Sequence, residues 1–167
     1  GYDSAGIAVI NGGLQVARTI GRVSVLEEMV VNDARFDGTI GIAHTRWATH
    51  GKPTLNNCHP FIKNNCALVH NGIIENFEEL VKIFALNETC IKSETDSEII
   101  AEICDKLLNE FNNPIDVIKK ISQNIQGTFS FAFLIKGSDS IYATRRGSPL
   151  VLGLSENLNS ISSSNIL

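Results

Sequence analysis

With 167 residues, 43% of them hydrophobic and 19% charged, the chain has the length and composition of one soluble globular domain with a proper core. A net charge of -4 without a long basic run argues against nucleic acid or an anionic membrane as the main partner. The longest apolar run, Phe129 to Ile135, is far too short to span a bilayer. The four cysteines, Cys58, Cys66, Cys90 and Cys104, show no C-x-x-C spacing. Without a basic-then-apolar leader at Gly1-Tyr2-Asp3-Ser4, the expectation is reduced, mostly buried thiols in a cytoplasmic protein.

Ala5 to Ile10 and Leu14 to Ile20 are strand-like around the turn signal Asn11-Gly12-Gly13, which predicts a hairpin with Leu14 and Val16 inward and Gln15 and Ala17 outward. Ser24-Val25-Leu26-Glu27 has the form of a capping box and predicts a helix from about Val25 to Ala34. Asp37-Gly38 turns the chain into the apolar strand Ile40-Gly41-Ile42-Ala43, and a loop follows. Cys66 to Val69 is predicted as a buried strand that ends in a sharp turn at His70-Asn71-Gly72. Further capping boxes at Asn76-Phe77-Glu78-Glu79 and Thr95-Asp96-Ser97-Glu98 open two helices. Their inward stripes are Phe77, Leu80, Val81 and Phe84, then Ile99, Ile100, Ile103, Leu107, Leu108 and Phe111. Asn113-Pro114 starts another helix with Ile115, Ile118, Ile121 and Ile125 inward, and three strands follow at Thr128 to Ile135, Ser140 to Thr144 and Leu150 to Leu154. Hairpin-linked strands with helices grouped between them predict an α+β protein with antiparallel sheets, and both Gly-rich nucleotide signatures are absent.

Chemistry concentrates in three places. His44-Thr45-Arg46-Trp47-Ala48-Thr49-His50-Gly51 delivers a guanidinium fork, hydroxyls and the single tryptophan to the end of a strand. Such a set suits a small carboxylate-bearing molecule, or else a structural ion pair beside a half-buried Trp. Asp96 could hold an α-ammonium where Arg46 clamps an α-carboxylate, or could merely serve the helix dipole. Asn71 and the Gly72 N–H could aim two donors at one oxygen, or could simply form a tight turn. The spacing of His44, His50, His59 and His70 matches no compact metal-ligand motif, so no metal is expected.

Taken in order, Gly1-Tyr2-Asp3-Ser4-Ala5-Gly6, the stretch His44 to Gly51, His70-Asn71-Gly72-Ile73-Ile74-Glu75-Asn76, Ser93-Glu94-Thr95-Asp96 and Arg145-Arg146-Gly147-Ser148-Pro149-Leu150 closely resemble the class II glutamine amidotransferases. The branch resembled is the glutaminase domain of the glutamine–fructose-6-phosphate aminotransferases (isomerizing), also called glucosamine-6-phosphate synthases. The resemblance runs from Gly1 to about Leu154 and implies an N-terminal-nucleophile hydrolase fold, a four-layer αββα sandwich of antiparallel sheets. It implies that an N-terminal cysteine attacks glutamine, with its own α-amino group as base. It further implies Asn71 and Gly72 as the oxyanion hole, Arg46 on the substrate carboxylate and Asp96 on its ammonium. Thr49 and His50 would line the pocket, and Trp47 would close it and gate ammonia towards a sugar-phosphate isomerase domain. L-glutamine and fructose 6-phosphate are the implied partners, without a cofactor, in a homo-oligomeric parent.

The family begins with Cys-Gly-Ile and a helix that this sequence lacks, and Ile161-Ser162-Ser163-Ser164 stands where the family has Ile-Ala-Ser-Asp. Residues 1–167 are therefore expected to be a partial glutaminase domain, truncated at both ends, with the isomerase domains absent and no glutaminase activity of its own. The rival readings are a class II amidotransferase with another acceptor and a non-catalytic amino-acid-binding module.

Overall fold

The computed structural model describes residues 3–46, 52–154 and 159–163, so Trp47, Thr49 and His50 lie outside the described residues. Strands β1 (Ser4–Ile10) and β2 (Leu14–Ile20) form the expected hairpin, and β3 (Ile40–Arg46) pairs antiparallel with the other edge of β1. Helix α1 (Val23–Val30) lies between β2 and β3 in sequence. It covers the outer face of this sheet through Leu26, which packs on Ala5 and Ala17. That cover corrects one expectation: Ala17 is buried, because the sheet has a packed layer on both faces instead of one wet face.

The second sheet is wholly antiparallel, in the order β4 (Phe61–Ile62), β5 (Cys66–Ile74), β6 (Gly127–Ile135), β7 (Ile141–Arg146). Between the two sheets, Ala8 and Ile42 of the first meet Ala67 and Leu134 of the second. Helices α2 (Phe77–Ile83), α3 (Asp96–Glu110) and α4 (Pro114–Asn124) cover its other face. The period of two along β6 sorts its side chains: Phe129, Phe131 and Phe133 point to the helices, while Ser130, Ala132 and Leu134 point to the first sheet. The three rings meet Ile100, Ile103 and Leu107 of α3 and Val117 and Ile121 of α4, and each fully buried side chain contributes about 1.5–3 kcal/mol. The result is the αββα layering expected from the resemblance. A short ladder of β8 (Val151–Gly153) and β9 (Ser160–Ser162) completes the described strands.

Several local expectations fail for tertiary reasons. The two strands that carry the candidate site run further than expected. β3 continues through Arg46, which pairs with Ser4, and β5 continues through Ile74. Asn71 and Gly72 are thus strand residues opposite Ser130 and Phe129, and the turn reading of this pair is overturned. Helix α1 starts at Val23 with Arg22 as its cap and no side-chain cap bond, so Ser24 caps nothing. The end of β2 fixes this start, because the Gly21 N–H donates to the Asp3 carbonyl at 2.7 Å and sends the chain straight into the helix. Asn76 precedes α2, but its amide serves the loop before β6, donating to Asn124 O at 2.9 Å and accepting from Gln126 N–H at 2.8 Å. Phe77, Phe111 and Ile115 are exposed: each stands at an end of its helix, and in α4 Val117 is buried instead of Ile115. The Asn113 cap and Pro114 start of α4 occur as expected, with the Ile115 N–H donating to the Asn113 side chain at 3.0 Å.

Candidate functional site

The ends of β3 and β5 and the start of α3 open onto one cavity of about 1330 Å³. Its wall includes Arg46, Asn71, Gly72, Asp96, Ser130 and Ser163. Four of the seven expected site residues therefore come together although they are spread over fifty positions of sequence. Arg46 is buried, its position fixed by the β1 pairing and by an Asp3 N–H to Arg46 O bond of 3.0 Å. Buried guanidinium in the wall of a cavity is suited to a carboxylate, which its planar fork can bind at two points.

Asn71 is exposed to the cavity, and its side-chain N–H donates to the Ser163 hydroxyl at 3.2 Å. Gly72 has φ of +139°, and a Cβ there would stand 2.1 Å from Thr128 O. Only glycine fits, since both the backbone conformation and the close β6 strand exclude a side chain. Asp96 is the first residue of α3. Its Oδ2 accepts the Ile74 N–H at 2.8 Å and its Oδ1 accepts the Ser97 hydroxyl at 3.2 Å. Ser97 Oγ lies 2.9 Å from Nδ1 of His70, whose ring stacks on Phe131 at 4.5 Å. The helix N-terminus adds a favourable field for the carboxylate.

Imidazoles surround the site. The rings of His44 and His59 stand 4.3 Å apart, and His59 contacts Phe61 edge-on at 4.8 Å. Burial pushes the His44 and His70 pKa values down to about 4, and His59 well below its ordinary value, with the nearby positive groups adding to the shifts of His44 and His59. Asp96 partly opposes the shift of His70. All are neutral at neutral pH. Gly6 permits this crowding, because a Cβ there would stand 2.1 Å from His59 O. Among the described residues, no three His, Cys, Asp or Glu side chains form a metal-ligand group. The described cysteines are free thiols, buried at Cys58, Cys66 and Cys104 and exposed at Cys90.

The segment after Gly51 is tied to the approach of α3 by Asn57. Its buried amide donates to Lys52 O at 2.9 Å and Glu94 Oε2 at 3.1 Å, and accepts from the Glu94 N–H at 2.9 Å. Sequence reasoning missed this clamp, and also Ser97 and Ser163. Ser97 was hidden within a tetrad read as a helix cap. Ser163 lies 92 residues from Asn71, and no local pattern links them.

Two antiparallel sheets between helical layers, with strand ends opening onto one cavity, make the sandwich of the N-terminal-nucleophile hydrolase fold. The fold matches that of glutamine phosphoribosylpyrophosphate amidotransferase from B. subtilis with a TM-score of 0.76 and 21% identity, over 98% of this chain and 36% of that one. The chain belongs to the glutamine amidotransferase domain family, whose profile matches residues 44–166. Among similar sequences is glutamine–fructose-6-phosphate aminotransferase [isomerizing] of Francisella tularensis, 46% identical over 166 residues, which are 98% of this chain and 27% of the relative. The protein of the same name from Pseudomonas putida is 46% identical over 158 residues, 92% of this chain and 26% of the relative. The chain thus spans about a quarter of the length of the curated relatives it matches.

Proposed function

We propose that the chain is the glutamine-hydrolysing part of an amidotransferase that passes ammonia to fructose 6-phosphate, giving glutamate and glucosamine 6-phosphate. The observation that carries the reading is the convergence of Arg46, Asn71, Gly72 and Asp96 on one cavity, with opposite charges on Arg46 and Asp96 as a free amino acid requires. In this reading Arg46 binds the α-carboxylate and Asp96 the α-ammonium of glutamine. The Asn71 amide and the Gly72 N–H receive the oxyanion that develops when a nucleophile attacks the side-chain amide. The Asn71 donor already meets an oxygen in the cavity, that of Ser163, where a substrate oxygen would be received. The same reading takes Thr49 and His50 as pocket residues and Trp47 as its closure from the resemblance, since all three lie outside the described residues. The names of the relatives support fructose 6-phosphate as the acceptor.

The test is Asn71→Ala in the full-length protein, assayed with glutamine and fructose 6-phosphate. A donor directed at a developing oxyanion adds little to ground-state binding, so kcat should fall by about 10²–10³-fold while KM for glutamine moves far less. A wild-type protein that forms no glutamate, or an alanine variant with undiminished kcat, would end the reading.

A further inference from the structure

We propose that His70 and Ser97 are positioning residues that lock the Asp96 carboxylate towards an α-ammonium, and so make the cavity select α-amino acid amides over amides lacking the amino group. The inference rests on the reading of Asp96 as the ammonium ligand.

Proton counting fixes the direction of the relay. Ser97 has one hydroxyl proton and two close partners, Asp96 Oδ1 at 3.2 Å and His70 Nδ1 at 2.9 Å. An ionised carboxylate can only accept, so the hydroxyl donates to Asp96 and its lone pair accepts from His70 Nδ1–H. His70 is therefore the Nδ1–H tautomer. Its Nε2, which is buried and has no hydrogen-bond partner among the described residues, carries no proton that would need one. Stacking on Phe131 fixes the plane of the ring. The Ile74 N–H holds the second carboxylate oxygen at 2.8 Å, so neither oxygen of Asp96 can rotate away without breaking a bond to the scaffold.

The geometry has a direct consequence for function. Direct contact between His70 Nδ1 and Asp96 is 3.7 Å, too long for a hydrogen bond, and a neutral imidazole brings no compensating charge. The carboxylate thus keeps its full negative charge for a ligand, while the relay supplies only orientation. Asp96, Ser97 and His70 all stand in the wall of the cavity, and the carboxylate is the more open of the ends of the relay, with its side chain 25% exposed against 2% for His70. Strand β5 carries both His70 and Asn71, so the same strand segment sets the ammonium site and the proposed oxyanion donor.

The test compares L-glutamine with glutaramate, the same amide without the α-amino group, in full-length Ser97→Ala, Ser97→Thr, His70→Leu, His70→Asn and Asp96→Asn. Loss of one orienting hydrogen bond in Ser97→Ala should raise KM for glutamine about 5- to 10-fold with kcat nearly unchanged. Its kcat/KM for glutaramate should change less than 2-fold. Ser97→Thr, which keeps the hydroxyl, should restore the preference. His70→Asn keeps an N–H near the Nδ1 position and should lose less of it than His70→Leu. Should Ser97→Ala not fold, Ser97→Cys keeps the volume with a weaker hydrogen-bonding group and carries the same comparison. Equal losses for both amides would reduce Ser97 to a packing residue and overturn the inference. A change in preference in Asp96→Asn but not in Ser97→Ala would overturn the relay alone. An unchanged preference in Asp96→Asn would instead remove the ammonium assignment beneath it.

Discussion

Acidification from pH 7 to pH 5 should weaken the fold through its buried imidazoles. His70 has its pKa pushed down to about 4 by burial, against 6.5 for an ordinary histidine. Below 6.5 the unfolded chain binds a proton that the folded chain refuses until about pH 4. Stability is therefore fully present above about 6.5, falls as the pH drops, and levels off near 4. For one such group the loss between pH 7 and pH 5 is about 2 kcal/mol. His44, half-buried and also held at about 4, adds up to as much, and His59 adds in the same direction. A loss of roughly 3–4 kcal/mol is large beside the marginal stability of a domain. With a urea m-value of about 1–3 kcal/mol/M, it moves the denaturation midpoint by at least about 1 M. Urea titrations of the full-length protein at pH 7, 6 and 5, followed by tryptophan fluorescence, measure it. His70→Asn, which cannot titrate, should flatten the slope below pH 6.5 by one proton. Midpoints that stay constant between pH 7 and 5, or histidine NMR titrations centred near 6.5, would refute the reasoning.

Two further substitutions test how the scaffold holds the site. Gly72→Ala places a Cβ 2.1 Å from Thr128 O at φ +139°, so β6 must move away; the backbone strain alone costs about 1–3 kcal/mol, read as a lower melting temperature, and an unchanged one would contradict the packing. Glu98→Gln removes the charge that accepts the Lys92 and Ser93 N–H groups at 2.8 and 2.6 Å and pairs with Lys63 at 2.9 Å. It should cost about 1.5–3 kcal/mol in urea denaturation, since Lys63 retains Glu102 as a second partner.

The sequence by itself determined the order of strands and helices and the residue types of the site. The apolar run Phe129 to Ile135 as strand, period 3.6 along Ile99 to Leu107, and the Asn113-Pro114 start are local signals, and the structure follows them. The motifs around Arg46, Asn71 and Asp96 were legible because their residue types suit one kind of ligand, although nothing local says that they converge. Only the tertiary structure decided that Asn71-Gly72 is strand and not turn. An Asn-Gly pair has a strong intrinsic turn preference, and the nine-residue pairing of β5 with β6 overrides it. Only the tertiary structure decided where the capping tetrads spend their hydrogen bonds. Asp96 meets Ile74 across 22 residues and Asn76 meets Gln126 across 50, because a side chain near a helix start is drawn to whichever unpaired backbone group the packing brings closest. The burial of Ala17 and the neutrality of His44, His59 and His70 belong to the same class. Both follow from layers stacked on both faces of a sheet, and the dielectric a side chain meets is set by neighbours far away in sequence.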